Sequence, residues 1–161
     1  MPVYVSGSVA YDRIMDFPGR FSDHILPDKI HILNVCFMIE GLRENFGGTA
    51  GNIAYGLSCL GERPLIVATA GRDFDSYRQW LEGHGLPVDH IRVVDDELTA
   101  GAYITTDRSD NQITAFNPGA MNRRTPFDAG GLAGTAPLAI VAPGNLDDMH
   151  DFALQYGRAD I

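Results

Sequence analysis

The residues that could do chemistry fall in three short stretches. Asp12 lies just past a strand-like opening, Pro2–Ser6. Ligands of α/β sheets bind at the carboxyl ends of strands, and a carboxylate placed there can accept two hydrogen bonds from vicinal hydroxyls. The same position also suits an ordinary turn aspartate. Ser8 and Ala10 flank it and would line the same pocket. Gly47 and Gly48 precede a helical pattern; lacking Cβ atoms, they allow unusual dihedrals and a close backbone approach to a ligand, and equally a simple helix-start turn. Asn52 follows in the first helical turn. Asn is a mediocre helix residue, and its amide both donates and accepts hydrogen bonds. Phe116 offers an aromatic face on which a flat ring could stack, or a core packing group.

Elements that would position these residues can be read from periodicity and punctuation. Residues 47–60 predict a helix with Thr49 as N-cap, Ala50, Ile53, Ala54, Leu57 and Leu60 on one face, and Gly61 as stop. Leu65–Ala70 predicts a strand. Tyr77, Trp80, Leu81 and His84 predict a second amphipathic helix, capped by Asp73 or Asp75 and ended near Gly83 and Gly85. Ile91–Val94 predicts a further strand. This alternation argues for a mostly parallel sheet with helices on its faces. Thr99–Thr106 and Gln112–Phe116, joined by a polar turn, predict a β-hairpin. The apolar run His31–Ile39 predicts another strand. Residues 117–136 suggest loop with a short helix, Pro137–Ala142 a buried strand, and Asn145 or Asp147 the cap of a last helix through Met149, Phe152, Ala153 and Tyr156.

The bulk numbers narrow the function class. In 161 residues, 45% are hydrophobic and 20% charged, an ordinary globular composition. Twelve basic against 21 acidic residues leave a net charge of −9. That balance argues against nucleic-acid partners, which need cations to neutralise phosphates, and against anionic membranes. Cys36 and Cys59 form no C-x-x-C, and the histidines show no ligand spacing, so neither a metal nor a disulfide is expected. With no basic leader before the first strand and no apolar run of membrane-spanning length, a cytoplasmic protein is expected.

Several of these words, in order, resemble the ribokinase or PfkB family of carbohydrate kinases. They are Ser6-Gly7-Ser8 with Asp12, then Phe46-Gly47-Gly48-Thr49-Ala50-Gly51-Asn52 with Ala54, Leu60-Gly61, and Ala70-Gly71-Arg72-Asp73-Phe74. Phe17-Pro18-Gly19-Arg20-Phe21, Leu26-Pro27 and Pro118-Gly119-Ala120-Met121 look most like bacterial adenosine kinases within that family. The resemblance implies an α/β, ribokinase-like doubly wound sheet, incomplete here, with a small β-sheet lid from residues 12–45 and 98–117. The chain would form the N-terminal part of a PfkB-type kinase.

The resemblance further implies an ATP-dependent kinase, with Mg²⁺ on the nucleotide, that phosphorylates the 5′-hydroxyl of an adenosine-like nucleoside or a sugar. Ser8, Asp12, Gly47, Gly48, Asn52 and Phe116 would bind that acceptor. In such adenosine kinases a second aromatic is expected near position 102, where this chain has Ala102 beside Tyr103. Phosphoryl transfer needs a base and an anion site, which the family places in a late Gly-Ala-Gly-Asp motif. That motif is absent here, and Asp128-Ala129-Gly130-Gly131 has its aspartate on the wrong side of the glycines. The catalytic base and ATP site are therefore expected in a C-terminal half beyond this chain, and the chain alone is expected to be inactive and to bind no ATP. The alternative expectation is a non-catalytic, ligand-binding or dimerising product. Family members often pair through their lids, so a homodimer that hides His31–Ile39 is also expected.

Overall fold

The computed structural model describes residues 2–132 and 138–161. Its central layer is a parallel sheet. Strand β1 (Pro2–Ser6) pairs with β4 (Arg63–Gly71) on one side and β8 (Leu138–Val141) on the other, and β5 (Ile91–Val94) adds to β4. All three pairings are parallel. Parallel strands need crossover connections, and helices supply them: α1 (Thr49–Cys59) precedes β4, and α2 (Asp75–Gly83) joins β4 to β5. A last helix, α3 (Leu146–Arg158), follows β8.

Alternation along β1 and β4 divides the core. Val3 and Val5, with Ile66, Ala68 and Ala70, pack against Ala50 and Ala54 of α1 and Tyr77 and Leu81 of α2. Tyr4 and Val67 face the other way, onto Phe152 and Tyr156 of α3. Helices on both faces make the sheet doubly wound, the α/β class that the strand–helix rhythm predicted.

A second sheet stands apart from the first in the order β3-β2-β6-β7: β3 (Gly41–Gly47), β2 (Ala10–Asp16), β6 (Ala100–Thr106) and β7 (Gln112–Asn117). The predicted hairpin is β6 and β7, with Ala102 opposite Phe116. Its polar turn is organised by Asp107, whose carboxylate accepts the Phe21, Ser109 and Asn111 backbone N–H groups.

Some expectations need correction. His31–Ile39 is not a strand: residues Pro27–Ile32 form a 3-10 turn and 33–39 have no regular structure. β3 takes the place beside β2, and among the described residues the run pairs with neither outer edge of the sheet. It is anchored instead through Phe37, whose ring lies 4.7 Å from Phe17 and 5.0 Å from Phe21. Ile32 and Met38 stay 69% and 85% exposed.

The caps of α1 and α2 also differ. Gly48, not Thr49, is the N-cap of α1, and Leu60 lies outside its buried face. Neither Asp73 nor Asp75 caps α2; the Asp73 carboxylate accepts the Thr99 N–H at 2.7 Å instead. Asn145 does cap α3, accepting from the Asp147 and Asp148 N–H groups. Ala153 on that helix is exposed, and Leu138 in β8 is half-exposed rather than buried. Pro137, the predicted start of that strand, lies outside the described residues. The expected short helix in 117–136 is two 3-10 turns, Gly119–Asn122 and Ala129–Leu132.

Candidate functional site

The site lies where the second sheet leaves the carboxyl end of the first. The chain passes from β1 to β2 through Gly7, Ser8 and Val9, and from β3 to α1 through Gly48. Ser8 binds these passages together. Its hydroxyl accepts the Thr49 N–H at 3.0 Å, and its carbonyl accepts the Ala50 N–H at 2.9 Å and the Gly51 N–H at 3.4 Å. Ser8 thus satisfies the first helical donors of α1, which a local cap would otherwise serve. The Thr49 hydroxyl, released from capping, accepts the Ser8 N–H and donates to the Pro143 carbonyl.

Gly48 has φ +88° and ψ 152°, a region nearly exclusive to glycine. A Cβ there would stand 2.6 Å from the Ser8 carbonyl oxygen and 2.7 Å from the Ala10 nitrogen. The close approach that Gly48 permits is to this chain's own backbone.

Gly47 has a different neighbour. A Cβ on it would collide with the Asp12 carboxylate, so the glycine leaves the space that this side chain occupies. The Gly47 carbonyl accepts the buried Tyr77 hydroxyl at 2.8 Å. Burial, with Asp12 and Tyr11 nearby, holds the Tyr77 phenol well above its ordinary pKa. Asp12 is half-buried, and burial pushes its carboxyl up. Among the described residues, no hydrogen bond or ion pair engages that carboxylate. A desolvated, unpartnered carboxylate is a strong acceptor for incoming hydroxyls.

Strand register fixes what surrounds Asp12. Asn45 is directly opposite on β3 and Ala102 on β6, and Phe116 is opposite Ala102 on β7. Residues directly opposite share a face, so Asn45, Asp12, Ala102 and Phe116 form one row across the sheet. Phe116 is 51% exposed. Tyr103 points to the other face, where its hydroxyl accepts from Arg13 at 3.3 Å and its ring lies 5.2 Å from that guanidinium. It therefore does not take the place of an aromatic at 102. The opposite face around Tyr11 and Phe46 is closed by α2: the Phe46 and Tyr77 rings stack at 4.6 Å.

The remaining candidates divide. Asn52 sits one turn into α1 with an exposed side chain, its N–H bonded to the Gly48 carbonyl. Ala10 is buried on the Asp12 face, two residues before it. Structure thus gathers Asp12, Gly47, Gly48 and Asn52 at one junction and sets Phe116 two strands away along the row. The Ser8 hydroxyl is already engaged within the chain. Asn45 was not foreseen; only pairing partners, which no local pattern encodes, could have signalled it.

A small cleft beside the junction is lined by Ser6, Thr69, Asn145 and Asp148. Asp148 is buried, accepts the Thr125 N–H at 2.7 Å and pairs with Arg124 at 3.2 Å, so its charge is met internally. Among the described residues, no cluster of His, Cys, Asp and Glu could hold a metal ion, and no helix is long and apolar enough to cross a membrane.

Comparisons with known proteins bear on the family and the fold. The model of the pfkB family carbohydrate kinases matches residues 23–131. A nucleoside kinase of Methanothermobacter thermautotrophicus is 34% identical over 131 residues, covering 78% of this chain and 42% of that protein. The structure of the Burkholderia thailandensis nucleoside kinase in complex with inosine has a TM-score of 0.82 and 39% identity, covering 99% of this chain and 50% of that one. Ribokinase from Cryptococcus neoformans in complex with ADP shares the fold at 22% identity, with a TM-score of 0.77. The chain spans half or less of the length of these relatives. Its doubly wound sheet, its second sheet and the family match over residues 23–131 together place the chain in the pfkB family of carbohydrate kinases.

Proposed function

We propose that this chain is the acceptor-binding part of an ATP-dependent kinase that phosphorylates the 5′-hydroxyl of a nucleoside. The observation that carries this reading is the row Asp12, Ala102, Phe116 on the open face of the second sheet. Strands lie about 4.8 Å apart, so Asp12 and Phe116 are separated by about 10 Å. A ribose whose vicinal hydroxyls donate to Asp12 would carry its base over Ala102 toward the Phe116 ring. The small Ala102 leaves room for a purine, and one aromatic face supplies the stacking. Asn52 and the Gly47-Gly48 backbone close the ribose end. The second sheet, residues 12–45 and 98–117 in the main, acts as the lid over this acceptor. The nucleoside kinases among the relatives, one of them bound to inosine, support an acceptor of this class.

Among the described residues, two of the three α-helix starts offer no open amides to the phosphates of ATP. The first amides of α1 are bonded to Ser8 and those of α3 to Asn145, so neither helix start is open to an anion. No catalytic step is assigned to the side chains described above.

A binding panel tests the acceptor class. Adenosine and inosine should bind the chain more tightly than ribose or fructose, because only a base meets Phe116. Equal or tighter binding of the free sugars would reassign the acceptor. A second reading, a dimerising product, draws on the exposed Ile30, Ile32, Leu33, Met38 and Leu42. Sedimentation equilibrium decides it: a dimer that Met38→Lys dissociates supports pairing through this run, and a monomer at all concentrations refutes it.

A further inference from the structure

Asn45 has no role in the reading above, yet it occupies the position next to Asp12 in the row. It lies on β3 directly opposite Asp12, on the side away from Ala102 and Phe116. Its direction is fixed independently of register. Phe46, the next residue, turns to the opposite face and stacks on Tyr77, and adjacent strand residues point oppositely. Gly47, two residues on, faces the Asp12 carboxylate. Asp12 therefore leans toward β3, the strand that carries Asn45. The Asn45 side chain is exposed, and among the described residues its amide makes no side-chain hydrogen bond. The other polar side chain on this face of β3, Arg43, is already paired with Asp16 at 3.1 Å.

The chemistry at Asp12 is incomplete without a donor. An ionised carboxylate only accepts, so each hydroxyl that binds it spends its proton there. The hydroxyl oxygen keeps two acceptor lone pairs, which a donor must meet once water is displaced. An Asn amide supplies such donors through its NH₂ group, which an Asp or Glu at the same place would not.

We infer that Asn45 is a specificity-determining contact for the acceptor: its amide donates to the ribose hydroxyls held by Asp12 and so favours ribonucleosides over nucleosides that lack those hydroxyls. This rests on the proposed acceptor role of the Asp12 row. With the base toward Phe116 and the diol over Asp12, Asn45 borders the sugar on its hydroxyl-bearing side and has no route to the base.

The test uses the 161-residue chain, with inosine and 2′,3′-dideoxyinosine as probes in calorimetric titrations. Asn45→Ala should weaken inosine binding about five- to tenfold, the worth of one neutral hydrogen bond. It should leave dideoxyinosine binding unchanged, so the ratio of the two affinities falls by that factor. Asn45→Val, which keeps strand propensity, should do the same, and both variants should unfold at the wild-type urea midpoint. An unchanged ratio, or equal losses for both ligands, overturns the assignment of Asn45. If instead the wild-type chain binds inosine no more tightly than dideoxyinosine, or binds neither, the Asp12 reading itself fails, and the inference falls with it.

Discussion

Replacing Gly48 by Ala should be among the most damaging single changes to this fold. Two separable costs meet there. The backbone has φ +88° and ψ 152°, and a non-glycine residue in that region costs about 1–3 kcal/mol. The added Cβ would also lie 2.6–2.7 Å from the Ser8 oxygen, the Ala10 nitrogen and the Val9 Cα. These are backbone atoms between β1 and β2, which cannot swing aside as a side-chain tip can, and overpacking of this kind adds about 1–3 kcal/mol. A total of about 2–6 kcal/mol follows, against a typical stability of about 5–15 kcal/mol.

Two other glycines isolate the terms. Gly61 has φ +84° but nothing within 4 Å of its would-be Cβ, so Gly61→Ala should cost only the backbone part, about 1–2 kcal/mol. Gly56 lies inside α1 with open space around it and no unusual φ, so Gly56→Ala should stabilise by about 0.5–1 kcal/mol. Urea unfolding of the three variants gives the order directly. If Gly48→Ala costs no more than Gly61→Ala, the packing of Gly48 against the Ser8–Ala10 passage is wrong, and with it the junction that positions Asp12.

Other consequences can be read from single side chains. Among the described residues the buried Tyr156 hydroxyl has no hydrogen-bond partner, and burial pushes its pKa up to about 12. Tyr156→Phe removes an unpaired polar group and should leave thermal stability unchanged or raise it by about 1 kcal/mol; a clear loss in a melting experiment would reveal a partner. For Asp107, burial alone would raise the pKa, but hydrogen bonds from Phe21, Asn111 and Ser109 hold it down at about 2. A folded value below the unfolded one gives stability that is present above about pH 4 and lost as pH falls toward about 2. Melting curves of wild type and Asp107→Ala should therefore converge over that interval, and a constant gap would exclude this carboxylate as the cause. Phe116→Ala should weaken nucleoside binding by about 1–3 kcal/mol and leave ribose binding untouched; equal effects on both would show that the ring packs within the sheet rather than under a base.

What was legible in the sequence was local. Val3 and Val5, the helical spacing around Ala50 and Ala54, and the Tyr77–Leu81 pattern each declare their element because the burying partner lies on an adjoining layer. His31–Ile39 misled because β-branched and apolar residues show only that a segment could pair, whereas this run is held through Phe37 against Phe17 and Phe21. Thr49 misled as a cap because its hydroxyl is held by the distant Ser8 N–H and Pro143 carbonyl, while the Ser8 carbonyl takes the Ala50 and Gly51 N–H groups. The same limit applies at the site. Asp12, the glycines, Asn52 and Phe116 could be singled out by residue type and family likeness. Their arrangement could not, since the parallel pairing of β2 with β6 sets Ala102 between Asp12 and Phe116, and the pairing with β3 brings in Asn45.

The central claim is that Asp12 receives the hydroxyls of a nucleoside. Titration of inosine into the wild-type chain and into Asp12→Asn at neutral pH tests it most directly. Asn keeps the shape and removes the charge, so one charge-assisted hydrogen bond is weakened, and affinity should drop about 10- to 100-fold. The burial-raised pKa adds a signature: wild-type affinity should fall as pH is lowered through the protonation of Asp12, and the variant should show no such dependence. Equal affinity of the two proteins, or no measurable binding by the wild type, would contradict the claim.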